Sequence, residues 1–184
     1  MVLGLLEGKN VNLRIMEKED LPLYAEWDNN PDFWGELSSP LQRSKAEIEK
    51  AFSEPSVFEH KIFIVEKKDG STIGYMMHFN VLHPLNKLLE IGYALAPNER
   101  GKGYCTEAVE LMVDYLFLSR ETMRIQAYVD IRNLASQKVL EKAGFKREGT
   151  IRKAFFSNGK WTEDYLYSIL REEWNEPKMR TKAK

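Results

Sequence analysis

Cysteine is almost absent: Cys105 stands alone among 184 residues. That excludes an intrachain disulfide and a cysteine-rich zinc site. The three histidines, His60, His78 and His83, show no metal-ligand spacing, so no metal is expected. Net charge is also small, −1 at pH 7, which leaves no broad electrostatic attraction to nucleic acid or to a membrane surface. No run of eighteen apolar residues occurs, and the apolar start from Met1 to Leu6 is short and has no basic leader. A cytoplasmic protein is expected. Repeats, low-complexity tracts and interdomain linkers are missing too. What is present, 43% hydrophobic and 30% charged residues, suits one globular domain over residues 1–177. Lys178, Arg180, Lys182 and Lys184 follow without an acid. They read as a basic, disordered tail over residues 178–184.

The densest signal lies between Leu88 and Leu116. Leu89, Ile91, Tyr93 and Leu95 alternate with Leu88, Glu90, Gly92, Ala94 and Ala96, as in a strand. Pro97 ends it. A loop bearing Arg100, Gly101, Lys102 and Gly103 leads into helical spacing at Ala108, Leu111, Met112, Tyr115 and Leu116, with Glu107, Glu110 and Asp114 expected outward. A glycine loop at a helix N-terminus presents unpaired amides to anions. An ordinary strand-to-helix turn with a solvated Arg and Lys reads equally well. The loop lacks the Gly-Lys-Ser/Thr of nucleotide-triphosphate loops and the three spaced glycines of dinucleotide folds.

Around this stretch, residues 9–16 alternate as a first strand and Glu17 to Asp28 have helical spacing. Residues 32–40 read as a loop. Ser44 to Phe52 is a helix with a Ser44/Glu47 capping box. Lys61 to Lys67 and Ser71 to Asn80 are strands joined through Asp69-Gly70, and Val81 to Lys87 is a loop. Arg124 to Asp130 is a strand, and Leu134 to Ala143 a helix ended by Gly144. Phe145 to Phe156 and Trp161 to Leu170 form a last hairpin. Interleaved helices around a mainly antiparallel sheet make the class α+β, or mixed α/β.

Arg100-Gly101-Lys102-Gly103-Tyr104-Cys105 resembles the acetyl-CoA loop of the GNAT N-acetyltransferases: Gln or Arg, two residues, Gly, one residue, then Gly or Ala. Arg100 and Gly103 match, and Cys105 departs. Asn133-Leu134-Ala135-Ser136 and Leu140-Glu141-Lys142-Ala143-Gly144-Phe145 are similar to the family's downstream motif. The resemblance spans residues 9–174. It is nearest to the branch of ribosomal-protein N-terminal acetyltransferases and spermidine acetyltransferases. It implies a twisted sheet of about seven strands, splayed at the central strand, with acetyl-CoA in the opening. It assigns Leu95, Ala96, Arg100, Gly101, Lys102, Gly103, Tyr104, Cys105, Thr106 and Asn133 to the cofactor. Ser136 lies near the thiol. Many members place an acid-acting tyrosine where this chain has Leu140, and Ser136 is the nearest substitute.

Amine acetylation needs a neutral acceptor. Deprotonating a lysine-like amine at pH 7 costs about 4.6 kcal/mol, an α-amine only about 1 kcal/mol. Glu90, on the strand face shared with small Gly92 and Ala94, is the expected base; pairing to a neighbouring strand is its structural alternative. Asn133 can cap the following helix as well as touch the cofactor arm. Trp27, Asp28, Asp32, Phe33 and Trp34, with Glu26 and Glu36 beside them, mix rings and carboxylates in a way that suits a cationic amine. They could equally be a helix end packed on the sheet. The expected function is acetyl transfer to a protein or peptide N-terminal α-amine. A polyamine or other small amine, or an acyl-CoA-binding module without catalysis, are the alternatives, and a homodimer is left open.

Overall fold

Among the described residues, eight strands form one sheet in the order β1-β2-β3-β4-β5-β6-β8-β7. This is a computed structural model, and it describes residues 5–37, 42–54, 60–81 and 88–178. The strands are β1 (Leu6–Glu7), β2 (Val11–Ile15), β3 (Lys61–Lys67), β4 (Thr72–Asn80), β5 (Leu88–Leu95), β6 (Arg124–Asp130), β7 (Lys146–Ser157) and β8 (Lys160–Leu170). The helices are α1 (Leu21–Asn29), α2 (Pro31–Trp34), α3 (Lys45–Ser53), α4 (Tyr104–Ser119) and α5 (Leu134–Lys142). One more strand appears than the expected seven or so: β1 pairs Leu6 with Leu13 and Glu7 with Asn12. Two residues are too few to show alternation.

Period-two patterning sorts the core into two layers. Phe63 and Val65 point to one side of β3, where they join Leu89, Ile91 and Leu95 beneath α4 and α5. Ile64 and Tyr75 point to the other, against Leu21, Tyr24, Trp27, Phe33 and Ile48 from α1 to α3. Local chemistry sets several boundaries. Ser44 Oγ accepts from the Glu47 N–H while the Glu47 carboxylate accepts from the Ser44 N–H, so the capping box starts α3. Gly144 follows α5 with φ +92°, the left-handed turn a helix end favours.

Two expectations give way. Residues 31–34 are helical rather than loop, because the Asn30 side chain accepts the Asp32 N–H at 2.9 Å; residues 38–41 lie outside the described set, as do 82–87 of the expected loop before β5. Asp114 is buried, not outward. It accepts from Trp174 Nε1 at 2.8 Å and from the Lys178 N–H at 2.5 Å. Helical periodicity could not anticipate a chain end crossing that face. Lys178 Nζ also bonds Glu110 at 2.6 Å, so this first residue of the basic segment packs on α4; residues 179–184 are outside the described set.

The pairing of β5 with β6 positions the site. The two are parallel and register only at Leu88–Arg124, Leu89–Ile125 and Glu90–Gln126. From there β6 stays with β8 to Asp130 and β5 stays with β4 to Leu95. The sheet therefore opens between Ile91–Leu95 and Ala127–Asp130. The β7–β8 hairpin reaches over the far side of this opening. At its tip Ser157 Oγ donates to the Leu37 carbonyl at 3.1 Å, and Asn158 Nδ2 to the Glu36 carbonyl at 2.9 Å.

Candidate active site

The parted strands bound a cleft of about 740 Å³. Gly92 and Ala94 of β5 and Ala127 and Val129 of β6 line its middle, and the loop before α4 lines one end. In that loop Gly101 and Gly103 have φ of +75° and +86°, and a Cβ added at either would meet nothing within 4 Å. The backbone is thus bare and open where a ligand could approach. The first bond inside α4 runs from the Glu107 N–H to the Gly103 carbonyl. The Tyr104, Cys105 and Thr106 amides have no helical acceptor and sit at the positive end of a sixteen-residue helix.

The loop's charges are spent internally. Arg100 Nε donates to the Leu95 carbonyl at 2.9 Å, and its Nη2 to the Phe33 carbonyl. Arg100 lines the cleft but clamps the loop to β5 and α2. Lys102 pairs with Glu99 at 3.0 Å and does not line the cleft. Lys138 and Lys142 on α5 line it instead. Their signal in the sequence was only helical spacing from Leu134. Burial pushes the Cys105 thiol up to about 12, so it is a small wall residue rather than a nucleophile. Leu95, Tyr104 and Thr106 also line the cleft; Ala96 does not.

At the N-terminus of α5, Asn133 Oδ1 caps the helix by accepting the Ser136 N–H at 3.0 Å. Asn133 and Ser136 both line the cleft. Ser136 Oγ lies 2.9 Å from Tyr93 Oη across the opening. Burial raises the Tyr93 phenol above its ordinary range, so it stays neutral. Leu140 is fully buried in the core. Tyr93 was read from sequence only as one apolar position among four. The available signal was a hydroxyl on a strand of aliphatics, which must find a partner once buried.

The other end of the cleft is aromatic: Phe33, Trp34, Tyr75, Tyr128 and Phe155 line it, with Asp130 and Asp164. Only Phe33 and Trp34 of the expected acceptor group are there. Trp27 lies beneath, its ring 5.3 Å from Phe33. Asp28 is buried and ion-paired to Arg43 at 2.6 Å. Asp32 is exposed and off the cleft wall. Glu90 also stands off that wall, on the last rung where β5 and β6 still pair. It accepts from Gln126 Nε2 at 3.1 Å, and that nitrogen lies 3.4 Å from Tyr128 Oη. Burial raises the Glu90 carboxyl. Asp130 is neutralised by Arg132 at 2.5 and 2.8 Å. Asp164 faces Asp130 across β6 and β8. Among the described residues no cation is bonded to it, and burial, then the Asp130 charge, raises its carboxyl. His78 is buried between the Phe63 and Tyr115 rings, and no group of three His, Cys, Asp or Glu among the described residues could hold a metal.

Comparison with known proteins places this architecture. A family model described as Acetyltransferase (GNAT) domain matches residues 10–146. The probable N-acetyltransferase YjcK of Bacillus subtilis (strain 168) is 34% identical over 183 residues, covering 92% of this chain and 98% of that protein. Among solved structures, the ribosomal-protein-S5-alanine acetyltransferase from Vibrio fischeri superposes with TM-score 0.76 at 24% identity, over 94% of this chain and 99% of that one. The spermidine N-acetyltransferase from Vibrio cholerae, in complex with CoA and spermine, gives TM-score 0.78 at 24% identity, over 89% and 97%. At these identities the two superpositions establish the fold.

Proposed function

The chain belongs to the GNAT acetyltransferase family, and from that premise we propose that it transfers the acetyl group of acetyl-CoA directly to an N-terminal α-amine of a protein or peptide. The observation that carries the reading is the parting of β5 from β6 beside a bare glycine loop. One edge of β5 from Ile91 to Leu95 keeps its β4 partners, while the other has no strand beside it among the described residues. The amide-bearing arm of CoA can complete that edge as an added strand does. The Tyr104 to Thr106 amides, with Lys138 and Lys142 nearby, suit its pyrophosphate.

Acetyl-CoA supplies, when bound, an acyl group on a thiolate leaving group. The protein's residues divide the rest. Phe33, Trp34, Tyr128 and Phe155 wall off the acceptor end, and Asp164 holds the incoming ammonium. An α-amine then sheds its proton for about 1 kcal/mol at pH 7, to Asp164 or to water. Glu90 stands one rung behind and acts by orienting Gln126 and Tyr128. Ser136, at the positive end of α5, gives a proton to the sulfur.

A thiol-release assay across an amine panel tests the proposal. Peptides with a free N-terminus should give higher kcat/KM than spermidine, spermine or N-terminally blocked peptides bearing lysine. Preference for the polyamines would replace the acceptor assignment. CoA binding by calorimetry without thiol release from any amine would replace catalysis with an acyl-CoA-binding role.

A further inference from the structure

Resting on that acetyltransfer reading, we propose that Tyr93 is a positioning residue for the reaction: its phenol donates to Ser136 Oγ and so aims the serine hydroxyl proton into the cleft, at the departing sulfur. The two side chains come from β5 and α5 and meet at 2.9 Å on the cleft wall. A serine hydroxyl has one proton and two lone pairs. With one lone pair held by Tyr93, its own O–H is free to point elsewhere. The Ser136 N–H is already held by Asn133, so the residue is fixed at both ends. The other acceptor near the phenol, the Ser136 carbonyl, is farther, at 3.4 Å. The phenol keeps its proton because burial disfavours the phenolate, so it remains a hydrogen-bond donor throughout. Leu140, fully buried, offers no competing donor.

The proton account closes without Tyr93 ionising. The amine nitrogen forms the C–N bond and the C–S bond breaks, its electron pair going to sulfur. Sulfur takes the Ser136 proton as the proton that nitrogen loses on forming the C–N bond reaches Ser136 Oγ through solvent, so no free alkoxide forms; the earlier ammonium proton has already left to Asp164 or water. Tyr93 begins and ends as a phenol.

The experiment compares Tyr93→Phe, Ser136→Ala and the double variant in the full chain, by thiol release, CoA calorimetry and thermal melting. Loss of one neutral hydrogen bond should lower kcat roughly three- to tenfold in Tyr93→Phe, with the acetyl-CoA KM within about twofold. The double variant should be no slower than Ser136→Ala, and Ser136→Thr, which keeps the hydroxyl, should recover most of the loss. A polyfluorinated tyrosine installed at 93 should keep the fold and make activity fall at a lower alkaline pH than in the wild type. Equal factors from Tyr93→Phe in both backgrounds, or a lowered melting temperature with kcat intact, would overturn the inference and leave acetyl transfer standing. An unchanged kcat in Ser136→Ala would remove the serine and this inference together. CoA binding without turnover in the wild type would remove the catalytic reading as well.

Discussion

Replacing Gly103 by valine tests the anion-binding loop directly. Gly103 has φ +86° and ψ −10°, and nothing lies within 4 Å of an added Cβ. The backbone strain of a left-handed L-residue is about 1–2 kcal/mol, somewhat more for a β-branched one. Against a typical stability of about 5–15 kcal/mol, the fold should survive, melting about 2–8 °C lower. The larger effect should fall on the ligand. The valine methyls would occupy the space through which phosphate oxygens approach the Tyr104 to Thr106 amides. A hydrogen bond to a charged group contributes about 1.5–3 kcal/mol, so losing two weakens CoA roughly 10²–10⁴-fold. Gly70 supplies the control: its φ is +85°, its Cβ space is equally open, and it sits in the β3–β4 turn. Gly70→Val should show the same strain by melting and unchanged CoA affinity by calorimetry. If a folded Gly103→Val binds CoA as the wild type does, or if both variants lose affinity alike, the loop is not the phosphate site.

Three further substitutions separate the carboxylates. Asp164→Asn should raise the acceptor KM with little change in that for acetyl-CoA; the wild-type acceptor KM should fall as pH rises through the raised carboxyl range of Asp164, since only the ionised form holds an ammonium, and steady-state kinetics should find that trend gone in the variant. Glu90→Gln keeps an acceptor for Gln126 and should cost less than tenfold in kcat, short of the roughly 10²–10⁴-fold loss of a general base. Wild-type stability should carry a pH-dependent term that the variant lacks: the folded pKa of Glu90 is raised, so the wild-type native state loses stability as pH climbs from the free-carboxyl range through that raised value. Differential scanning should therefore find Glu90→Gln more stable than wild type at pH 7 and similar at pH 4. Asp28→Asn breaks a buried ion pair whose Arg43 partner is partly exposed; a loss of about 2–3 kcal/mol by chemical denaturation, with the acceptor KM unchanged, would mark it as structural.

Local signals carried the parts of this fold that are themselves local. Ser44 and Glu47 are three residues apart and bond each other; Asp69-Gly70 closes its hairpin within four residues of both strands; the loop from Arg100 to Gly103 abuts the helix it starts. The placements that escaped depend on partners far along the chain. Tyr93 meets Ser136 forty-three residues on, Asp114 meets Trp174 sixty residues on, and Asp28 is claimed by Arg43 fifteen residues on. Periodicity gives the face on which a side chain starts, not what crosses that face. Asp114 has the spacing of a solvated acid, and only the returning chain end makes it a buried one. The cluster from Trp27 to Trp34 likewise has the composition of an amine site, but its first half is the core beneath the cleft and only Phe33 and Trp34 surface in it.

An acid can serve a ligand only if the chain has not already spent it, and that criterion bears on which amine the cleft suits. Asp28 is committed to Arg43, Glu99 to Lys67 and Lys102, and Asp130 to Arg132. Of the carboxylates on the cleft wall, Asp164 is the one to which no described cation is bonded. Its ionisation is disfavoured both by burial and by Asp130 opposite, so an arriving ammonium relieves a charge that the fold leaves uncompensated. A polyamine brings several ammonium groups, and the cleft wall offers one uncompensated carboxylate among them, so each further group must offset its desolvation on ring faces alone. A peptide α-amine brings one, followed by a neutral backbone that Phe33, Trp34 and Tyr128 can flank. The same amine titrates near ~8 rather than ~10, so it does not require the strong base that Glu90, set back behind Gln126, is poorly placed to supply. Charge count and proton cost thus favour the same acceptor on independent grounds.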